Sequence, residues 1–142
     1  MKFMALIKAS KEYEAGALPS TELIAEMGKF NEELVKAGVL LGGDGLQPSS
    51  KGARIKFSGN KRTVIDGPFS ETKELIAGYW LLQVRSLEEA IEWVKRAPDD
   101  TGEAEIEIRQ VFEPEDFGDN LTPELKAEQE RIWSQVGDQA GR

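Results

Sequence analysis

The chain contains neither cysteine nor histidine. Without cysteine there is no disulfide, no thiolate nucleophile and no sulfur-ligated metal. The missing histidine removes the usual proton carrier near neutral pH and the commonest transition-metal ligand. Ser-His-Asp and Cys-His catalysis within the chain go with it. Acid/base work then falls to Asp, Glu, Lys, Tyr or Arg. Long apolar runs are also lacking. The longest unbroken one, Phe3 to Ile7, is far too short to span a bilayer. One basic residue, Lys2, opens the chain, and no small-residue cleavage site follows an apolar stretch, so no secretory signal is read and a cytoplasmic setting is expected. Positive charge is scarce: 18 Lys and Arg stand against 26 Asp and Glu, a net charge of −8. Nucleic acid needs cationic surface to release its counterions, so no nucleic-acid partner is expected. The same charge disfavours an anionic membrane. No segment has the converging oxygens or loop spacing of a Mg²⁺ or Ca²⁺ site, so no metal is expected.

What is present reads as a globular α+β domain. Its 142 residues are 39% hydrophobic and 31% charged, enough for one core without staples. Lys2 to Ala9 is a compact apolar segment, read as a central strand, and Ser10 to Pro19 as a loop. Ser20 caps a helix whose Leu23, Met27, Phe30 and Leu34 share one face, and Gly38 ends it. Val39 to Leu41 reads as a second strand, running into a bend or bulge at Gly42-Gly43-Asp44-Gly45. That glycine cluster matches neither phosphate-binding fingerprint.

Ala53 to Phe57 alternates apolar and polar residues, and Gly59-Asn60 suits a two-residue hairpin turn. Arg62 to Ile65 returns as the partner strand, with Ile55 opposite Val64. Ala77 to Val84 is a further apolar strand. Tyr79 and Trp80 fall on opposite faces of it, one toward the core and the other toward a cavity or a dimer seam. Ser86 and Glu89 form a capping box, with Glu89 expected to reach the Ser86 amide and Leu87, Ala90, Ile91 and Val94 on the buried face. Ala104, Ile106 and Ile108 mark a last strand with one wet face. Thr122-Pro123-Glu124 starts a terminal helix with a weak stripe of Leu125, Ile132, Trp133 and Val136, and Gly137 to Arg142 is expected to fray.

Strand, helix, strand, inserted hairpin, strand, helix, strand and terminal helix make two βαβ-type halves of one sheet, a ferredoxin-like arrangement. Both main helices would cover one sheet face. The other would carry Phe, Tyr and Trp outward, and a second copy is the simplest cover, so a homodimer is expected.

The stretch Asp66 to Trp80 (DGPFSETKELIAGYW) strongly resembles the signature of the DGPF branch of the YCII-related family. Met1 to Ile7, Asn31 to Leu34, Gly42 to Pro48 and Leu87 to Trp93 also look like that family. The resemblance covers residues 1 to 112, with 113 to 142 an extension carrying a helix. It implies a dimeric ferredoxin-like α/β barrel with a cavity between sheet and helices or between paired sheets. It implies no single activity. Some relatives are regarded as enzymes, including a dehydrochlorinase-like branch, and others are encoded beside extracytoplasmic-function sigma factors. Short members carry a His-Asp pair proposed as catalytic. Asp66 falls where that Asp is expected, and the His has no counterpart here.

Asp66 is therefore the candidate acid/base for a cofactor-independent elimination or isomerisation, if it borders an apolar cavity. The alternative is a structural turn in which Asp66 accepts backbone amides. Arg54 and Lys73 are candidates to hold a small anionic ligand, or else ordinary exposed residues. Asp44 and Tyr79 are candidates to line the cavity. A different class of function remains open: a non-catalytic regulatory module associated with a sigma factor.

Overall fold

Alternation and capping decide where each element of the computed structural model begins and ends. The structure describes residues 1–140, and their side chains up to residue 137. Four strands, β1 (Lys2–Lys8), β2 (Leu40–Gly45), β5 (Ile76–Gln83) and β6 (Ile106–Gln110), form an antiparallel sheet in the order β2-β5-β1-β6. β1 is central, as its unbroken apolar run requires. The inserted strands β3 (Ala53–Ser58) and β4 (Lys61–Asp66) pair only with each other. Their register sets Ile55 against Val64. Gly59 supplies the positive φ of the turn, at 58°.

One sheet face carries α2 (Thr21–Lys36) and α3 (Leu87–Val94). The Ser20 hydroxyl accepts the Leu23 amide at 3.1 Å, and Gly38, with φ of 72°, stops α2. Phe30 and Leu34 are buried against Phe3, Ala5, Trp80, Leu82 and Ala90, the centre of the core. Phe30 meets Trp80 edge to face, ring centres 5.3 Å apart. Such an edge contact brings the positive ring edge to the negative face of its neighbour.

Several local expectations are corrected. The expected loop at Ser10 to Pro19 contains a one-turn helix, α1 (Lys11–Glu14), capped by Ser10. Four residues carry no periodic signal, and α1 is held by tertiary bonds described below. Gly42 to Gly45 belong to β2: the irregularity sits between Leu40 and Gly42, and the glycines beyond it pair regularly with β5. The Glu89 carboxylate accepts the Arg85 amide at 2.8 Å rather than that of Ser86, one residue further back. Leu87 is exposed, and Trp93 packs on the core in its place. Trp80 and Phe3 lie inside the helix-covered face, not outward, because the β1–β5 register puts both on the α2 side. Only Tyr79 of the expected aromatics falls on the opposite face.

From Phe112 onward the chain forms a second compact unit. Within it a 3₁₀ segment, Pro114–Asn120, precedes α4 (Pro123–Ala140). The Phe112 and Phe117 rings stack at 4.9 Å, and the Thr122 hydroxyl caps α4 at the Leu125 amide. Of the stretch expected to fray, residues 137–140 continue α4, and Gly141 and Arg142 lie outside the described residues. No described helix is long and apolar enough to cross a membrane.

Candidate functional site

α2 presses on the sheet through Phe30 and Leu34, in its second half. Toward its start the side chains withdraw: Leu23 and Met27 are half-buried and Ile24 is exposed. The strands beneath offer nothing to fill the gap. By register, Gly43 lies beside Trp80 and Gly45 beside Gly78, on the helix side of the sheet. At Gly43 and Gly78 a side chain is excluded by the close approach of β2 and β5, whereas Gly45 borders open space. A Cβ on Gly43 would come 2.8 Å from the Tyr79 carbonyl oxygen, and one on Gly78 the same distance from that of Asp44. Glycine is thus required at Gly43 and Gly78, where the two strands approach beneath the start of α2.

The result is an open groove of about 1120 Å³ between the start of α2, the Glu12 to Pro19 segment and the β2–β5 edge. Leu23, Ile24, Met27, Leu40 and Trp80 give it apolar walls. Polar groups are few. The Trp80 indole nitrogen donates to the Asn31 Oδ1 at 2.9 Å, which leaves the Asn31 amide donors without a partner among the described residues. The Tyr13 hydroxyl donates to the Ala77 carbonyl at 3.2 Å and ties α1 across the groove. Burial, aided by the nearby Glu14 charge, raises the Tyr13 pKa above the ordinary phenol value.

Of the residues singled out from sequence, Asp44 and Tyr79 meet. They are direct partners across β2 and β5, and the Tyr79 hydroxyl donates to Asp44 Oδ2 at 2.9 Å. That bond, then the Asp44 charge, raises the Tyr79 pKa. Both residues border the groove. Alternation turns the Tyr79 side chain to the face opposite Trp80.

Asp66, Arg54 and Lys73 stand elsewhere. Asp66 is exposed at the end of β4 and is not among the groove residues. Its carboxylate accepts no backbone amide among the described residues. The register puts Arg54 opposite Ile65 and Asp66 opposite Ala53, so Arg54 and Asp66 lie on opposite faces of the β3–β4 ribbon. Arg54 lies over the Phe69 ring, 3.8 Å from its centre. Lys73 is exposed in the short 3₁₀ turn Thr72–Glu74.

The Asp66 to Phe69 turn is held by a node that carries no local signal. Glu14 of α1 accepts the Ser49 amide at 2.9 Å and also the Ser49 hydroxyl. The Ser49 hydroxyl oxygen in turn accepts the Phe69 amide at 2.9 Å. Gly67 donates to the Gly52 carbonyl at 3.1 Å, and a Cβ on Gly67 would overlap the Ser49 carbonyl. The groove wall α1 and the base of the hairpin thus share one anchor. Among the described residues no three acidic groups converge on a metal site.

Two comparisons agree on kinship. Residues 1–115 match the family described as YCII-related domain. The chain is also similar to an uncharacterized protein of Rhizobium meliloti (strain 1021), 30% identical over 95 residues, which covers 65% of this chain and 77% of that protein.

Proposed function

The chain belongs to the YCII-related domain family, and from that premise we propose that it is a small-molecule-binding domain whose ligand lies in the groove between α2 and the β2–β5 edge. The observation that carries the reading is the glycine floor: three strand positions hold no side chain beneath an apolar wall. Ligand sites are commonly concave, mostly apolar and furnished with a few polar groups that fix orientation. Asn31 supplies free amide donors here, which suits an apolar ligand bearing one acceptor oxygen, such as a small carboxylic acid or ester.

The order β2-β5-β1-β6, with α2 after β1 and α3 after β5, supports a ferredoxin-like arrangement. The Asp66 to Phe69 turn supports the DGPF branch. Met4, Leu6 and Leu81, half-buried on the helix-free face, support a homodimer paired sheet to sheet.

Ile24→Trp tests the groove. Ile24 is exposed and lines it, so an indole there fills the space without disturbing the core. The native protein is expected to bind the apolar anionic dye anilinonaphthalene sulfonate, and small aromatic carboxylic acids are expected to displace it. In the variant binding should weaken at least about tenfold with an unchanged urea midpoint. Asp66→Asn should leave binding as it was. Failure of the native protein to bind, or equal binding by the Ile24 variant, would overturn the reading.

A further inference from the structure

We propose, on the reading that the groove binds a small molecule, that Lys51 is its specificity-determining residue. Lys51 takes the single negative charge of an elongated ligand whose neutral oxygen end lies at Asn31. Sequence reasoning gave an anionic ligand to Arg54 and Lys73, and the fold puts neither in the groove. Lys51 is the one cation lining it among the described residues. The Glu12, Asp44 and Asp100 carboxylates line the same space, yet Lys51 forms no ion pair with them or with any other described residue. Its charge is therefore left for a ligand.

The turn that carries Lys51 is fixed from both sides. Ser49–Lys51 form one 3₁₀ turn. Glu14 of α1 accepts the Ser49 amide and hydroxyl at its start. The Lys51 amide donates to the Pro48 carbonyl at 3.0 Å, and the Gly52 amide to the Ser49 carbonyl at 2.9 Å. The Gly52 carbonyl in turn accepts the Gly67 amide. The backbone is thus set before a ligand arrives. Only the lysine stem is ordered on binding, which limits the entropic cost.

The two polar anchors stand at different levels of β5. Asn31 is bonded to Trp80. Further along, the Leu46 amide donates to the Ala77 carbonyl at 2.7 Å, and the chain runs on through Gln47 and Pro48 to the Lys51 turn. Trp80 and Ala77 are three residues apart on β5, about 10 Å at the rise of a strand. Charge sets the direction. Asp44 is the strand partner of Tyr79, next to Trp80, so a carboxylate brought to the Asn31 end meets like charge. An ester or carbonyl oxygen there meets none, and discrimination comes as much from that repulsion as from the attraction at Lys51. With three carboxylates and one ammonium around the groove, a second negative charge has no partner. The ligand class is a monoanion with an apolar middle of about that length and a neutral acceptor oxygen at its far end. Dianions and phosphates fit less well.

Calorimetric titration of the full chain with three probes of one length is the test. Monomethyl suberate carries one charge and one ester, suberate two charges, and dimethyl suberate none. The monoester is expected to bind about fivefold more tightly than either of the others at low salt, the most that an exposed ion pair gives. Its advantage over the diester should fade at about 0.5 M salt, where the Debye length falls to a few ångströms. Lys51→Gln should bring the monoester down to the diester, with diester binding and the urea midpoint as they were. Asp44→Asn should raise the binding of suberate. Lys73→Gln, outside the groove, should change nothing. Equal binding of the three probes, suberate ahead of the monoester, or a Lys51 variant that keeps the preference overturns the proposal. So does an Asp44 variant that leaves suberate binding unchanged. The dye separates the two readings. If no probe binds while the dye still does so in the manner that Ile24→Trp weakens, the assignment of Lys51 falls alone. If the dye fails as well, the groove reading falls and takes Lys51 with it.

Discussion

The two sheets of the first 111 residues obey the same local rules and end in opposite environments. β1 and β5 carry Phe3, Ala5, Trp80 and Leu82 into a closed core. β3 alternates apolar and polar residues, pairs with β4 in the expected register, and the two bury nothing. Alternation tells which residues share a face, and it says nothing of whether another layer covers that face. For the central sheet the cover is α2 and α3. For the hairpin no described residue supplies it. Burial is a property of the neighbours, so large apolar side chains in the two sheets carry unequal energies.

The largest effect that could break this comparison is a truncation on each side. Leu34 is 0% exposed at the centre of the core. Leu34→Ala removes its transfer energy and leaves a cavity, and should cost about 2–5 kcal/mol. Phe57→Ala removes a larger side chain from the hairpin and should move stability by no more than about 0.5 kcal/mol. Urea unfolding of both variants, at a concentration low enough to hold the monomer, decides the matter. Equal costs would mean that the hairpin is covered after all.

A smaller effect is expected where the two regions join. A Cβ on Gly67 would overlap the Ser49 carbonyl, which is backbone and cannot swing aside. Gly67→Ala should therefore lift the hairpin base while the core stays closed. Trypsin cleavage between Lys51 and Arg62 should rise by about tenfold, tracking the population of the open form. The urea midpoint of the core should shift little. Cleavage at the native rate would show that the base yields without opening.

The sequence made one kind of contact legible and hid another. The Ser20 and Ser86 caps, the Phe30 and Leu34 face and the Ile55–Val64 pairing lie within a few residues or follow from a single turn, and all are readable from spacing. Trp80 and Tyr79 could be assigned to opposite faces, although which face was core depended on the β1 register. At the candidate site, Asp44 and Tyr79 could be named singly, but their bond depends on how β2 resumes pairing beyond its irregularity at Leu40. Glu14 and Ser49 are 35 residues apart and on no shared element, so no periodicity foreshadows their bond. The groove was equally hidden, because it is made by glycines whose meaning lies in the strand approaching from beside them.

The smallest effect lies on the helix-free face of the sheet, between core and hairpin in exposure. Lys8 and Glu107 form an ion pair at 3.4 Å there, with side chains 20% and 41% exposed. The Lys8 charge foremost, with a hydrogen bond from Arg109, holds the Glu107 carboxyl below its ordinary pKa. A carboxylate with a lowered folded pKa adds stability above its unfolded value, about 4.3, and loses it as pH falls through the folded value. The native protein should thus lose stability below that point, and Glu107→Gln should lose less over the same range. Because both groups are partly wet, the contribution is small and fades with salt. Urea midpoints at neutral and acid pH, at low and high ionic strength, measure it. Identical acid slopes for the two proteins would show that the open face behaves electrostatically like the hairpin, as solvated surface. A flatter slope for the variant would show that half-burial alone is enough for a charge pair to count.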